Sequence, residues 1–199
     1  MIYIIDVLVV GSGGNGQTYF ISFLNKNKII TNDIFDRDKI KHASHPSKVE
    51  HKIIKKCIFL YNDPFKSILS HYRRNWPYIQ MRKLGNPYKL SKSDITPINK
   101  LLKHTTDKGE DVFGIKHQFD NWINADVNFP ILFLDFNNIL ESEDILNKFI
   151  GKKLNYTFFE NRLRNSTLNN NIHPTIIKMY TDLYDYIKVK AEKKNLLVL

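Results

Sequence analysis

The stretch MIYIIDVLVV (Met1–Val10) runs directly into GSGGNGQT (Gly11–Thr18). The first part is almost continuously apolar and rich in β-branched residues, which is typical of a strand buried on both faces of a parallel sheet. Glycines interrupt that run, and Gln17–Leu24 (QTYFISFL) continues with apolar residues at helical spacing. We therefore expect a strand, a glycine loop and a helix as the first unit of the fold.

The same order of a buried strand, a turn and a helix returns further along the chain. Apolar runs of strand length at Lys55–Tyr61 and Pro130–Phe136 are followed by helical patterns at Phe65–Arg74 and Glu141–Phe149. Such alternation favours right-handed crossovers and a parallel sheet with helices on both faces. It predicts a three-layer α/β domain of the phosphate-loop (P-loop) type, with a central parallel sheet of four or five strands flanked by helices.

One domain is expected for the whole chain. Its 199 residues are enough to bury a core without disulfides, and the pattern predicts a single unit over residues 1–199. Residues 75–110 carry several prolines and mixed charge, so we expect short helices and loops there and interpret the segment as a substrate-facing insertion. Ligands of parallel sheets lie beyond the carboxyl ends of the strands, where the glycine loop and the turn Asn62–Pro64 both fall.

Charge and cysteine content narrow the class of protein. The chain has 30 basic and 20 acidic residues, a formal net charge of +10, and one cysteine, Cys57. A lone cysteine closes no internal disulfide, and no apolar run reaches the length of a membrane helix, so we expect a soluble, intracellular protein of the cytoplasm without a membrane span. The charge favours anionic partners. We interpret the basic stretch Lys188–Lys194 as a solvated helix face, which argues against nucleic acid as the partner.

The glycine loop is the first candidate site. Gly11–Thr18 fits the phosphate-binding pattern G-x-x-x-x-G-K-[ST], except that Gln17 stands where the pattern has a lysine. Glycines let consecutive backbone N–H groups point at one anion, and the helix that follows adds its amino-terminal dipole. One alternative is therefore a P-loop kinase or nucleotide hydrolase. That alternative also needs magnesium ligands, for which Asp135 at a strand end is the one ambiguous carboxylate.

Residues 13–19 (GGNGQTY) and Asn62–Ser70 (NDPFKSILS) each follow a predicted strand. The first segment resembles the P-K-S-G-T-T-W donor loop of the sulfotransferases that use 3′-phosphoadenosine 5′-phosphosulfate. The second is similar to the family's R-[ND]-P-x-D-x-x-x-S signature at a strand-to-helix turn. Weaker likeness extends to residues 111–136 and to the polar loop Arg162–Ser166, so the resemblance spans most of the chain in the family's order.

The resemblance implies a function and a set of binding residues. A sulfotransferase moves the sulfuryl group from 3′-phosphoadenosine 5′-phosphosulfate, its co-substrate, to a hydroxyl or amine of an acceptor such as a carbohydrate, and this chemistry requires no metal. The glycine loop would hold the 5′-phosphosulfate, and the second motif with the polar loop would hold the 3′-phosphate. The residues implied are Gly14, Asn15, Gly16, Gln17, Thr18, Asn62, Ser70 and Arg164.

Two departures from the family pattern keep a further alternative open. The family's loop lysine aligns with Gly14, and its arginine for the 3′-phosphate aligns with Asn62. Each replacement removes a charge-assisted contact of about 1.5 to 3 kcal/mol. Unless other cations take over, the chain is a non-catalytic, nucleotide-binding relative of the sulfotransferases. The cations that would have to do so are Lys41, Lys66, Arg73 and Arg164.

Sulfuryl transfer also needs a base for the acceptor proton, and histidine suits that role at neutral pH. In cytosolic sulfotransferases the base is a histidine that lies between the two donor motifs, in a K-T-H-L-P context. Here the segment Lys41–Pro46 (KHASHP) occupies that interval. The resemblance implies His45 or His42 as the base, with Glu50 as the carboxylate alternative. The alternative is that neither histidine has a catalytic role and both are solvent-exposed loop residues. The other histidines show no metal-ligand spacing, so no metal site is predicted.

Overall fold

The computed structural model describes residues 4–159 and 173–198, which form alternating strands and helices. The strands are β1 (Ile4–Val10), β2 (Ile53–Tyr61) and β3 (Ile131–Asp135). The α-helices are α1 (Gln17–Lys26), α2 (Pro64–Arg73), α3 (Pro77–Lys83), α4 (Lys92–Ile95), α5 (Ile98–Lys108), α6 (Ile115–Ile123), α7 (Glu143–Ile150) and α8 (Pro174–Asn195).

The three strands form one parallel sheet in the order β1-β2-β3. Ile58 in the central strand pairs with Val9 of β1, and the next residue, Phe59, pairs with Phe133 of β3. Since all three strands run in the same direction, their carboxyl ends meet at one edge of the sheet. The glycine loop after β1 and the turn after β2 therefore lie side by side.

Helices cover both faces of the sheet. Val7 and Val9 of β1 point to one face, where they share a buried cluster with side chains of α1 and α7. Leu8 and Val10 point to the other face, into a cluster that contains side chains of α2, α5, α6 and α8. This alternation follows from the two-residue period of a strand. The prediction of an α/β fold with a parallel sheet between helices is confirmed.

The described residues contain three strands of the sheet, and the prediction of four or five is wrong for them. Side-chain amides occupy the outer edges where further strands would pair. Asn32 accepts a hydrogen bond from the Val9 N–H (2.8 Å) and donates one to the Val9 carbonyl (3.1 Å). On the opposite edge, Asn195 makes the same two bonds with Phe133 (2.9 and 2.8 Å). Each amide thus replaces one residue of a neighbouring strand.

Residues 75–110 contain the short helices α3, α4 and α5, as the prolines predict. Apolar residues of this segment, among them Met81, Leu84, Ile95 and Leu101, enter the same core cluster as Phe59 of the central strand. The segment is therefore packed onto the sheet.

Within the described ranges, no helix has both the length and the apolar character that crossing a membrane requires.

The amides at the sheet edges should contribute measurably to stability. We expect Asn32→Ala and Asn195→Ala each to lower the free energy of unfolding by about 1 to 3 kcal/mol, because each leaves an N–H and a carbonyl of an edge strand unpaired. Urea denaturation measures this. The control is Asn124→Ala, since the exposed Asn124 amide bonds only to its own helix turn at Asp120 and its loss should cost less than about 0.5 kcal/mol. Equal losses in all three variants would contradict the role of the edge amides.

Candidate functional site

The glycine loop joins β1 to α1 at the carboxyl edge of the sheet. Gly13, Gly14 and Gly16 all have left-handed backbone conformations, with φ of 79°, 71° and 80°. A Cβ on Gly16 would overlap the ring of Phe136, and one on Gly14 would lie 2.8 Å from the carbonyl oxygen of Ser67. The loop therefore needs glycine at these positions for both its conformation and its close packing.

Three side-chain amides hold the loop in shape. Asn15 donates from Nδ2 to the carbonyl of Leu60 at the end of β2 (2.5 Å). Gln17 donates from Nε2 to the carbonyl of Lys41 (2.8 Å), and Gln80 of α3 donates from Nε2 to the carbonyl of Ser12 (2.7 Å). The side chains of Asn15 and Gln17 thus bind the protein's own backbone, whereas the resemblance assigns the backbone of these residues to the ligand.

The backbone N–H groups of the loop are left without acceptors in the described part of the chain. Among residues 4–159 and 173–198, the N–H groups of Ser12 to Thr18 have no hydrogen-bond acceptor. Gly16 is the amino-terminal cap of α1, so these donors lie at the positive end of a ten-residue helix. Consecutive unpaired N–H groups in such a loop bind an anion well.

A cleft of about 580 Å³ opens next to the loop. It brings together both segments that resemble donor-binding motifs, together with one of the two histidines proposed as base. The predicted site residues that line it are Gly14, Gly16, Gln17, Thr18, His42, Asn62 and Ser70.

Three predicted site residues within the described ranges are not part of this wall. Asn15 is completely buried behind the loop. His45 is exposed and caps the 3-10 turn Pro46–Val49 through a bond from the Ser47 N–H (3.1 Å), and the exposed Glu50 ends that turn. Arg164 and the rest of the polar loop lie outside the described residues.

The charge of the cleft is mostly positive. Among the residues that the structure describes, its wall includes the cations Lys41, Lys66, Arg73 and Arg74 against one acid, Glu141. The three proposed replacement cations within the described ranges therefore all reach this cleft. Such an excess raises the local concentration of anions.

Lys41 is the cation closest to the loop. Its side chain is 6% exposed, and Nζ donates to the carbonyl of Ile34 (2.7 Å) and to Thr18 Oγ1 (3.4 Å). The nearby carboxylate of Asp36 is paired with Lys83 instead. Burial lowers the pKa of Lys41, which is the expected effect on a lysine that lacks an ion pair within the described part of the chain.

His42 presents one ring nitrogen to the cleft. Its Nδ1 lies 3.1 Å from the carbonyl oxygen of Gly11 and therefore donates a hydrogen bond to it, which leaves the Nε2 lone pair as an acceptor. In the described ranges Nε2 has no partner. Burial lowers the pKa of His42 to about 3, so the imidazole is neutral at physiological pH.

The second motif shapes the other end of the cleft. Asp63 caps α2 by accepting bonds from the N–H groups of Phe65 and Lys66. Asn62, which aligns with the arginine of the sulfotransferase signature, accepts a 2.6 Å bond from the amide of Asn137. Ser70, on the second turn of α2, is buried against the cleft.

Four further cleft residues were not among the predicted site residues. They are His71 of α2, Trp76 directly before α3, Gln80 within α3, and Phe136 directly after β3. Trp76 is 59% exposed, which is unusual for so large a ring. Only the predicted insertion pointed towards α3, and no residue spacing singled out any of the four.

Across the described ranges, no three His, Cys, Asp or Glu side chains are grouped so that they could hold a metal ion.

The contact between Gly14 and Ser67 reverses an expectation from the family alignment, which favours a lysine at position 14. We expect Gly14→Lys to destabilise the fold, because the new Cβ meets the Ser67 carbonyl at 2.8 Å. Gly109→Lys is the matched control, since Gly109 has nearly the same φ (69°) but open space around it. The backbone strain of about 1 to 3 kcal/mol is then common to both. Chemical denaturation should show the larger loss for Gly14→Lys, and equal losses would mean that the Ser67 contact costs nothing.

Comparison of the chain with known protein families, with curated protein sequences and with solved structures gives no match in any of the three.

Proposed function

We propose that the cleft binds 3′-phosphoadenosine 5′-phosphosulfate and that the protein transfers its sulfuryl group to a hydroxyl or amine of an acceptor. One observation carries the proposal. The two segments that resemble the donor-binding motifs, residues 13–19 and Asn62–Ser70, both contribute residues to the wall of a single cleft. They are far apart in the sequence, and only the parallel sheet brings them together.

The glycine loop fits the anionic end of such a donor. Its unpaired N–H groups from Ser12 to Thr18 are suited to phosphate or sulfate oxygens. Lys41 adds the positive charge that Gly14 does not supply, since its Nζ lies beside Thr18. An anion there would also provide the buried Lys41 with the ion pair that it lacks among the described residues.

The chemistry assigned to His42 is proton transfer. As the acceptor oxygen or nitrogen bonds to sulfur, the bond between sulfur and the phosphate oxygen breaks, and that oxygen keeps the bonding electrons. His42 takes the acceptor's proton at Nε2, the nitrogen that faces the cleft. Its Nδ1 bond to Gly11 fixes the orientation of the ring.

A second candidate, nucleotide binding without catalysis, is favoured by one observation. The pKa of His42 is lowered to about 3, and a group with so low a pKa is a weak general base at neutral pH. Binding of the anionic donor raises the pKa again, because an opposite charge favours the imidazolium. The two candidates therefore differ in turnover and agree on ligand binding.

Ligand choice tests the binding site. We expect 3′-phosphoadenosine 5′-phosphate to raise the melting temperature more than ATP with magnesium, because the resemblance places the cleft residue Ser70 at the 3′-phosphate, a group that ATP lacks. A ligand at 100 times its Kd adds about 2.7 kcal/mol of stability. Lys41→Met should reduce the shift, whereas Lys48→Met, at an exposed position outside the cleft, should leave it unchanged. A shift with ATP and magnesium alone would favour the kinase or hydrolase alternative instead.

Turnover tests the base. We expect His42→Gln to slow sulfuryl transfer by about 10²- to 10⁴-fold while the affinity for 3′-phosphoadenosine 5′-phosphate stays within about twofold. Labelled donor and a mixture of hydroxyl and amine acceptors provide the assay, and His45→Gln is the control with normal turnover. Tight nucleotide binding by the unmodified protein without any transfer would identify the non-catalytic alternative.

A further inference from the structure

His71 is a buried titratable group to which the proposed reaction assigns no role. It is 3% exposed, lines the cleft, and stacks on Phe113 with ring centroids 5.9 Å apart and planes at 17°. Neither Nδ1 nor Nε2 has a hydrogen-bond partner among residues 4–159 and 173–198. Buried polar atoms without partners are rare and costly, so each needs an explanation.

The position of His71 relates it to the glycine loop. A Cβ built on Gly13 would lie 3.0 Å from Cε1 of His71 and 3.0 Å from Cε1 of His42. The two imidazoles therefore flank the same glycine, and the His71 ring lies beside the backbone of Ser12 and Gly13. Ser12 and Gly13 belong to the run of residues, Ser12 to Thr18, whose backbone N–H groups are unpaired in the described ranges.

The surroundings of His71 disfavour its charged form in the free protein. Burial lowers its pKa to about 4, and the cations Arg74 and Lys83 act in the same direction. Lys41, His42 and the acid Glu141 also lie on the cleft wall, while Asp36, which acts on Lys41, is paired with Lys83. His71 is therefore neutral at neutral pH until a negative charge enters the cleft.

We propose that His71 takes up a proton when an anion binds at the glycine loop, and so supplies positive charge to a loop that lacks the usual lysine. The inference rests on the proposed function in one respect, because both place an anion at the glycine loop. A charged imidazole is a donor at both nitrogens, and the carbonyls of Ser12 and Gly13 are the acceptors beside it. Those bonds would give its unpartnered nitrogens a role. His71 is thus a positioning residue, which acts on the ligand through the loop backbone.

The two histidines then have different roles, since His71 carries the positive charge and His42 accepts the proton of the acceptor. His42 keeps its Nδ1 bond to Gly11 and its free Nε2 lone pair. Two neighbouring imidazoles resist being charged together, because like charges shift each other's titration. A protonated His71 therefore disfavours protonation of His42, so that the Nε2 lone pair of His42 stays free but becomes less basic.

The test measures the titration of His71 in the intact chain by proton NMR. Inorganic sulfate is the probe, because it stays dianionic through the pH range and takes up no proton itself, and sodium chloride at equal ionic strength is the reference. The Cε1–H signal of His71 is identified by its contact with the Phe113 ring. We expect sulfate to raise the pKa of His71 by about 1 to 3 units, the range for a nearby opposite charge.

His45 provides the internal control, since it is exposed and outside the cleft, and its Cε1–H signal should be the same with sulfate as with sodium chloride at each pH. As a second measurement, sulfate should bind the unmodified protein more weakly as the pH rises from 5 to 7. In His71→Gln, which cannot be protonated, this dependence should flatten.

The outcomes of these measurements distinguish proton uptake by His71 from the proposed binding of the nucleotide. If sulfate shifts the amide signals of Gly13–Thr18 but not the pKa of His71, the proton uptake is wrong while the anion site stands. If sulfate shifts neither, both the anion site and the proton uptake are wrong. If His71 titrates as expected but 3′-phosphoadenosine 5′-phosphate does not bind, the nucleotide proposal fails and the proton-coupled anion site is supported.

Discussion

The carbonyl oxygen of Lys41 accepts hydrogen bonds from both ends of the glycine loop, from the Gly11 N–H (3.2 Å) and from Gln17 Nε2 (2.8 Å). One peptide group thereby fixes the span between the end of β1 and the start of α1. The same residue turns its ammonium group to Thr18. The shape of the loop, the direction of its N–H groups and the position of the nearest cation all depend on how the chain is held at residue 41.

This arrangement places positive charge beside a loop that has no lysine of its own. A long side chain at position 17 would have to leave the loop to reach a ligand, whereas Gln17 points back into the protein and braces it. The positive charge comes instead from a different segment, through Lys41. A lysine at the end of the loop would combine a structural role with the supply of charge. Here Gln17 holds the shape of the loop, and Lys41 supplies the charge.

The sequence predicted the elements better than the site. Apolar runs located β1, β2 and β3 and the main helices, because burial on both faces leaves a plain hydrophobic signal. The number of strands was overestimated, since an asparagine that closes a sheet edge looks like any polar loop residue. The motifs identified the loop and the turn at Asn62, and the sheet brought them together.

Other parts of the site depend on distances that no local pattern encodes. His42 and His45 were equivalent in the sequence, and only the fold sends one to the cleft and the other to a surface turn. His71 follows Ser70 directly, but its unpartnered nitrogens become visible only when its neighbours are known. The close approach of Gly14 to Ser67 is likewise a tertiary contact, which the family alignment could not reveal.

The asparagines at the sheet margins also restrict how two copies of the chain can associate. An open parallel strand offers its backbone to an incoming strand of another molecule, which is the common route to strand addition and to fibrils. Asn32 and Asn195 have already taken the N–H and carbonyl groups of Val9 and Phe133. A continuous sheet across two molecules would first have to displace these amides, so contacts through the helical faces are the less costly way to build an assembly.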